Sequence, residues 1–425
     1  MAKNIFLLSI FLSITIPFQK VTGQEQVLGL EQAKSMAMTQ NNKVKRADQT
    51  IKAAEAAKAA VYASNKPKVD ANLIGLHVGA PLDVLLPGFN ANASLGVSQL
   101  IYAGGKINTA KKLSNTSVNL YSNEKELTES EILLEVETTY WQIVNLKGKV
   151  ELATKYISLL TELLKDLTNS YDAGIIYKND VLLVQVQLNQ AELDLTKAND
   201  GLTLSKLKMT QLIGREDTDF AIEDSISVEK NLVEERSPSI AIEDRPEIKI
   251  LKNAVELKEL ETKILKADQR PTVALNINGI HAVGENINFS DRSDGLTSYF
   301  GLLNVSIPIF DWGGRKQKVK EQQRKMEAQK LELEETKELL SIEIQNVYLE
   351  WQQAIKKVDI SEKSLVQAEE NLRLYQDRFE AGTVVGKDVL EAQVLWQKAY
   401  SDIIDAKAGY RITEANYKKV VGTLN

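Results

Sequence analysis

Along most of this chain apolar residues recur at steps of three and four, and in four short stretches at steps of two. The longest helical stripe starts at Val347 and passes through Trp351, Ala354, Val358, Leu365, Ala368, Leu372, Tyr375 and Phe379. An earlier stripe passes through Val136, Tyr140, Ile143, Leu146, Val150, Ala153, Ile157, Leu160, Leu164 and Leu167. Such spacing puts the apolar side chains on one helix face and predicts coiled-coil seams. From 106 to 170 the only Gly or Pro is Gly148. That predicts a single helix about 98 Å long at 1.5 Å per residue. Shorter helices are expected over 28–65 and 247–268, the second with Asp244 and Pro246 as start signals. Pro67 and Pro271 stop them, because proline cannot extend the hydrogen-bond ladder.

After each of these prolines the period changes to two. Val69, Ala71, Leu73, Gly75 and His77 alternate with a second set, as do Val273, Leu275 and Ile277. The return stretches alternate Ala93, Leu95, Val97, Gln99 and Ile101 with Asn92, Ser94, Gly96 and Ser98, and Leu303, Val305, Ile307 and Ile309 with Asn304, Ser306 and Pro308. Four strands follow, about 68–80, 91–102, 272–281 and 299–310, each with one apolar and one mildly polar face. At about ten to thirteen residues they are long enough to cross a membrane as tilted strands. A half-buried strand of a soluble sandwich would alternate in the same way. Asn, Ser and Gly on the second face suit a water-facing barrel interior. Four strands are too few to close a barrel, so several chains would have to contribute.

These elements come in two series. "YDAGIIYKNDVL" at 171–182 returns as "FEAGTVVGKDVL" at 379–390, an offset of 208 residues. "SQLIYAGGK" at 98–106 resembles "IPIFDWGGRK" at 307–316, and Tyr140 has a counterpart in Tyr348. A period that survives small insertions indicates internal duplication, with a first unit over 24–214, a linker over 215–245 and a second unit over 246–425. The repeated phrase joins each long helix (hairpins about 106–213 and 315–421) to its return helix, so 171–180 and 379–388 read as hairpin tips. Gly174 and Gly382 supply the left-handed turn, while Asn179-Asp180 and Lys387-Asp388 are placed to cap the return helices.

Composition narrows the chemistry. With 8 Pro and 22 Gly against 26% charged residues, the balance favours long helices. Two His and no Cys supply little for zinc or thiol chemistry, and no phosphate-binding Gly-rich loop is present. The N-terminus carries Lys3, an apolar run from Ile5 to Ile16 and a small-residue exit at Gly23, which reads as a signal peptide over 1–23. Its removal takes the formal charge from −6 to about −8, which argues against a nucleic-acid partner.

The order of these parts resembles the TolC-like outer membrane factor family over about 27–422, through the Pro-to-strand starts, the Tyr102–Gly105 and Asp311–Gly314 strand ends and the duplicated tips. The resemblance implies a mixed α/β membrane protein. Three chains would contribute four strands each to a twelve-stranded β-barrel in the outer membrane, continued by an antiparallel α-helical coiled-coil tunnel in the periplasm, with 215–245 in an equatorial belt. It also implies a homotrimer that meets a periplasmic adaptor at small-residue tips, here Ala173, Gly174, Ile175, Ala381, Gly382, Thr383 and Val384. An acidic periplasmic constriction maps onto Asp388 and Glu391, three apart and so on one helix face. Gate contacts map onto Asp180 and Phe379. The match departs from the family where an aromatic hydroxyl is expected and Phe379 stands, and where a basic residue is expected and Val384 stands.

The function implied is a passive exit duct for small molecules or polypeptides, fed by an inner-membrane transporter, with no cofactor and no catalysis by this chain. A coiled-coil periplasmic spacer without a pore is the competing account. A carboxylate-pair enzyme using Asp388 and Glu391 comes third, since helical spacing explains that pair without a pocket.

Overall fold

The computed structural model describes residues 26–81, 88–223, 238–288 and 290–424. The signal-peptide reading, residues 82–87 of the first strand loop and residues 224–237 of the linker lie outside them.

The chain begins with β1 (Gln26–Leu28), α1 (Leu30–Gln40) and α2 (Asn42–Ala63). The single helix expected over 28–65 is broken at Asn41. Its backbone is extended (φ −62°, ψ 131°), its side chain accepts from the Lys43 amide at 2.8 Å, and its amide nitrogen donates to the Leu212 carbonyl at 2.9 Å. A residue fully buried in that role starts a new helix. The strand pair β2 (Lys68–His77) and β3 (Phe89–Ala103) follows, then α3 (Lys106–Asp172) and α4 (Lys178–Ile213). A short β4 (Phe220–Ile222) and α5 (Pro238–Asp244) lead into the second series: α6 (Pro246–Ala267), β5 (Thr272–Gly284), β6 (Gly295–Ser306), α7 (Gly314–Glu380) and α8 (Gly386–Val420). The last strand lies earlier than the expected 299–310. Pro308 has no amide to donate, and the ladder ends at Ser306.

Both long helices hold 67 residues, about 100 Å at the standard rise. Each is a column against which two shorter helices pack: α2 and α4 against α3, and α6 and α8 against α7. The columns are joined because α3 also packs on α6 and α8. The stripes read from the sequence form these seams. Val136, Tyr140, Leu160 and Leu167 are buried on α3, as are Val347, Trp351, Val358 and Leu372 on α7.

Near mid-length β1 pairs in parallel with β4, and Leu28, Phe220 and Ile222 enter a core with Val136, Tyr140 and Met209. Further along, Trp351 stacks on Tyr417 with ring centroids 5.2 Å apart and planes 6° from parallel, tying α7 to α8. Arg245, buried before α6, donates to Glu343 on α7 at 2.8 Å and to Glu247. Burial opposes the charge of Glu247, but Arg245 outweighs it and holds that carboxyl below its ordinary range.

The strands form one antiparallel sheet in the order β2-β3-β5-β6. Its register sorts the side chains by face. Val69, Leu73, Leu95, Ile277, Tyr299 and Leu303 share one face, and Asp70, Asn72, Ser94, Asn278, Ser298 and Asn304 share the other. The apolar face is open, with Leu73 80% and Tyr299 84% exposed. The polar face is closer packed: Asn90 is buried, and a Cβ at Gly96 would lie 2.6 Å from Asn278 Oδ1.

Trp351→Ala removes the largest buried ring of the α7–α8 seam and is expected to cost about 3–5 kcal/mol. Denaturant unfolding of the solubilised protein, followed by circular dichroism, checks this as a lower transition midpoint.

Candidate functional site: the tips and the sheet

At both tips the same backbone motif ends the long helix. Gly174 (φ 71°) and Gly382 (φ 70°) take the left-handed conformation. The Gly174 amide donates to Tyr171 O at 2.8 Å and the Ile175 amide to Ser170 O at 2.9 Å. In the second tip the Gly382 amide donates to Phe379 O and the Thr383 amide to Arg378 O, both at 2.9 Å. This crossed pair of bonds satisfies the last helical carbonyls. A Cβ on either glycine would meet no atom within 4 Å, so the requirement there is conformational and not steric. Ala173, Gly174, Ile175, Ala381, Gly382 and Thr383 are exposed and Val384 is half-buried. They form two bluntly apolar, small-residue ends, with Ile175 76% exposed.

The return helices are capped one turn earlier than the sequence suggests. Tyr177 and Val385 are the N-cap residues, and Asp180 and Asp388 fall at the third helical position. The Asp388 carboxylate reaches back to accept from the Val385 amide at 3.2 Å. It therefore satisfies an otherwise free amide and sits at the positive end of the α8 dipole. Glu391 lies one turn on, exposed, with Lys387 Nζ 3.7 Å from its carboxylate. Asp388 and Glu391 thus share one end of α8, and Lys387 offsets part of their charge.

The two residues expected at a gate, Asp180 and Phe379, lie on different hairpins and have unlike surroundings. Asp180 is half-buried in the first turn of α4, accepting from Asn179 at 3.3 Å. Phe379 packs against the tip core, which contains Leu160, Leu163, Leu167, Val184, Val389 and Leu390. Tyr156 belongs to the same core, where burial pushes its phenol up to about 12.

Gly386 was not singled out from the sequence. It is buried, and a Cβ there would come within 2.4 Å of Leu167 Cδ2, so any side chain at 386 would displace Leu167 where α8 packs against α3. The available signal was a break in the repeat, since an offset of 208 pairs Gly386 with exposed Lys178. Among the described residues no group of three or more His, Cys, Asp or Glu is arranged to hold a metal ion. No described helix is long and apolar enough to cross a membrane.

Comparison with known proteins supplies a frame for these features. Residues 237–423 match the family described as outer membrane efflux protein. The chain is 19% identical over 354 residues to outer membrane protein TolC of Escherichia coli (strain K12), covering 80% of this chain and 71% of that protein. It is 22% identical over 316 residues to the alkaline protease secretion protein AprF of Pseudomonas aeruginosa, covering 72% of this chain and 64% of that relative, just under two thirds. Among solved structures, the Campylobacter jejuni CmeC outer membrane channel superposes with a TM-score of 0.83 at 16% identity, over 99% of this chain and 94% of that one. The open state of the Neisseria gonorrhoeae MtrE outer membrane channel superposes with a TM-score of 0.80 at 17% identity, over 100% and 98%. The fold is shared across nearly the whole length.

The two kinds of tip glycine predict different damage. Gly386→Val drives a side chain into Leu167 and is expected to cost about 1–3 kcal/mol, with faster amide exchange across 160–170 and 386–396. Gly382→Ala costs about 1–2 kcal/mol through its backbone, with faster exchange confined to 379–386. Hydrogen–deuterium exchange of the two variants separates them.

Proposed function

We propose, from the match of residues 237–423 to the outer membrane efflux protein family and the fold shared with outer membrane channels, that this chain is the outer membrane exit duct of a tripartite efflux pump or type I secretion system. Cargo released by an inner-membrane transporter passes through a periplasmic adaptor, enters at the tips, ascends the helical tunnel and leaves through the barrel. The chain makes and breaks no bond, so the energy comes from the transporter. AprF is by name a secretion protein for an alkaline protease, whereas CmeC and MtrE are by name channels. Polypeptides and small molecules are therefore both cargo classes for this reading.

The observation that carries the proposal is the sheet. Its apolar face is exposed, and its edge strands β2 and β6 each pair on one side only. In a bilayer, unpaired backbone groups cost several kcal/mol each, so β6 of one copy must pair with β2 of the next. Three copies then give twelve strands around a lumen whose polar lining is mainly Asn and Ser, with Ile74, Ile280, Phe300 and Leu302 on the same face. The helices offer a matching pair of surfaces. Val186, Leu193 and Leu204 are exposed on α4, and Ile342, Ile360 and Val366 on α7. In the same head-to-tail ring, the α4 side of one protomer faces the α7 side of its neighbour.

Within this ring Asp388 and Glu391 form two stacked acidic rings at the periplasmic constriction, attracting cations and disfavouring anions. Asp180 and Phe379 belong to the gate. Phe379 has no hydroxyl to donate, so its contribution to closure is packing against the tip core. Ala173, Gly174, Ile175, Ala381, Gly382, Thr383 and Val384 dock the adaptor, whose helices approach closely where side chains are small. The pore-less periplasmic spacer is the weaker account because it leaves the apolar sheet face in water.

Single-channel recording in a planar bilayer tests the proposal, comparing the wild type with Asp388→Asn/Glu391→Gln. Discrete, cation-selective openings are expected, with selectivity reduced in the double variant. Openings with unchanged selectivity would move the constriction elsewhere. Failure of the intact oligomer to insert would favour the spacer.

A further inference from the structure

The rim where the sheet meets the helices carries a charge distribution that the duct does not require. All four strands reach this rim at Lys68, Ala103, Thr272 and Ser306. Residues 66–68, 104–112, 263–270 and 311–320 surround it and contain twelve Lys and Arg but only two acids, Asp268 and Asp311. Both acids are already occupied. Asp268 pairs with Lys106 at 2.8 Å, while Asp311 lies 3.5 Å from Arg315 and accepts from the Gly313 and Arg315 amides at the start of α7. Lys66, Lys68, Lys112, Lys266, Lys316 and Lys320 are exposed and have no carboxylate within 4.0 Å among the described residues. At the opposite rim, the described loop residues 284–288 and 290–295 carry three acids against one Arg. The chain as a whole is acidic at −6, so the basic rim is a local concentration of charge and not a reflection of composition.

Aromatic and aliphatic side chains stand at the same level. Ile309 is 91% and Trp312 92% exposed, and Phe310 packs edge-on against Trp312 with centroids 5.0 Å apart. Trp312 is held there by a left-handed backbone (φ 55°), a conformation that a bulky residue adopts only when its surroundings impose it. The Asp311 carboxylate imposes it through its two bonds to the turn amides. Trp141, Trp351 and Trp396, by contrast, are buried. An exposed indole on a fixed turn, next to an apolar sheet face and above a ring of lysines, matches the layering of a membrane interface. Apolar surface meets acyl chains, the indole lies at carbonyl depth, and ammonium groups lie where headgroup phosphates are.

We propose that this rim is a seat for anionic phospholipid, with the lysines contacting headgroup phosphates and Trp312 and Phe310 anchoring the chain at the interface. This rests on the sheet lying in a membrane, as the duct reading holds. The rim therefore selects lipid by charge as well as by apolarity, and negatively charged lipid accumulates around the barrel base. Lys316 and Lys320, four residues apart on α7, lie on one helix face, so both fall within reach of neighbouring headgroups.

Because Trp312 is the one exposed indole, its fluorescence reports the lipid beside it. The full chain is reconstituted in bilayers that mix phosphatidylcholine with phosphatidylglycerol, one of the two carrying brominated acyl chains that quench tryptophan. Brominated phosphatidylglycerol is expected to quench about tenfold more effectively per molecule than brominated phosphatidylcholine at low salt. That preference should fall towards one in 1 M salt, which screens charge over about 3 Å, and in a variant with Lys66, Lys68, Lys112, Lys266, Lys316 and Lys320 replaced by Gln. Trp312→Phe should remove the lipid-dependent quenching. Equal quenching by both lipids, or a preference that survives high salt, overturns the proposal; the salt arm uses the wild type and is independent of how the variant folds. Conductance recorded on the same preparation separates the outcomes. A conducting protein without lipid preference loses only the lipid seat, whereas a protein that neither inserts nor shows quenching loses the duct reading as well.

Discussion

A backbone amide or carbonyl without a partner is tolerable in water and very unfavourable in hydrocarbon. The proposed barrel rests on that asymmetry. The chain's four-stranded sheet has an exposed apolar face and two unpaired edges. Water would disfavour the face and lipid would disfavour the edges. Closing the sheet with further copies in a bilayer resolves both, because the face then meets acyl chains while each edge finds a partner strand. A rotation that joins β6 to the next β2 also carries α7 towards the next α4, and both helices expose apolar side chains for such a contact.

Below the sheet the requirement changes from pairing to reach. Columns of 67 residues span about 100 Å without interruption, and shorter helices pack along them. A helix that long in isolation has no tertiary support for most of its surface, so stability comes from the stripes that bury Tyr140, Leu160, Trp351 and Val358. The tips then need compact reversals. The left-handed glycines provide them at Gly174 and Gly382, and Gly386 lets α8 start close against Leu167. The acidic pair of the second tip is stabilised locally, with Asp388 at a helix N-terminus and Glu391 beside Lys387.

Much of this was legible from local pattern. The prolines at 67 and 271, the change of period after each and the glycines at 174 and 382 encode their roles within a few residues. What escaped depends on contacts distant in sequence. Asn41 breaks the first helix because its side chain finds the Leu212 carbonyl, 171 residues away. Gly386 reads as an ordinary departure from the repeat until Leu167 is placed against it. The capping position of α8 shifted by one turn because Asp388 at the third helical position reaches back to the cap amide, as a capping side chain would reach forward. At the candidate site, helical spacing put Asp388 and Glu391 on one face. Lys387, which moderates their charge, was visible in the sequence but its pairing was not. The exposed Trp312 depends on a turn geometry that its own residue type disfavours, which no propensity anticipates.

Closure of the sheet by other copies is the central claim, and the chain is suited to a direct test because it contains no Cys. Ala71→Cys on β2 is combined in turn with Cys at Tyr299, Gly301, Leu303 or Val305 on β6, and membrane-inserted protein is oxidised and separated by mass. The account predicts that at least one combination gives intermolecular disulfides in a ladder that ends at three chains. Cross-links absent from every combination, or a ladder that continues past three, would contradict it.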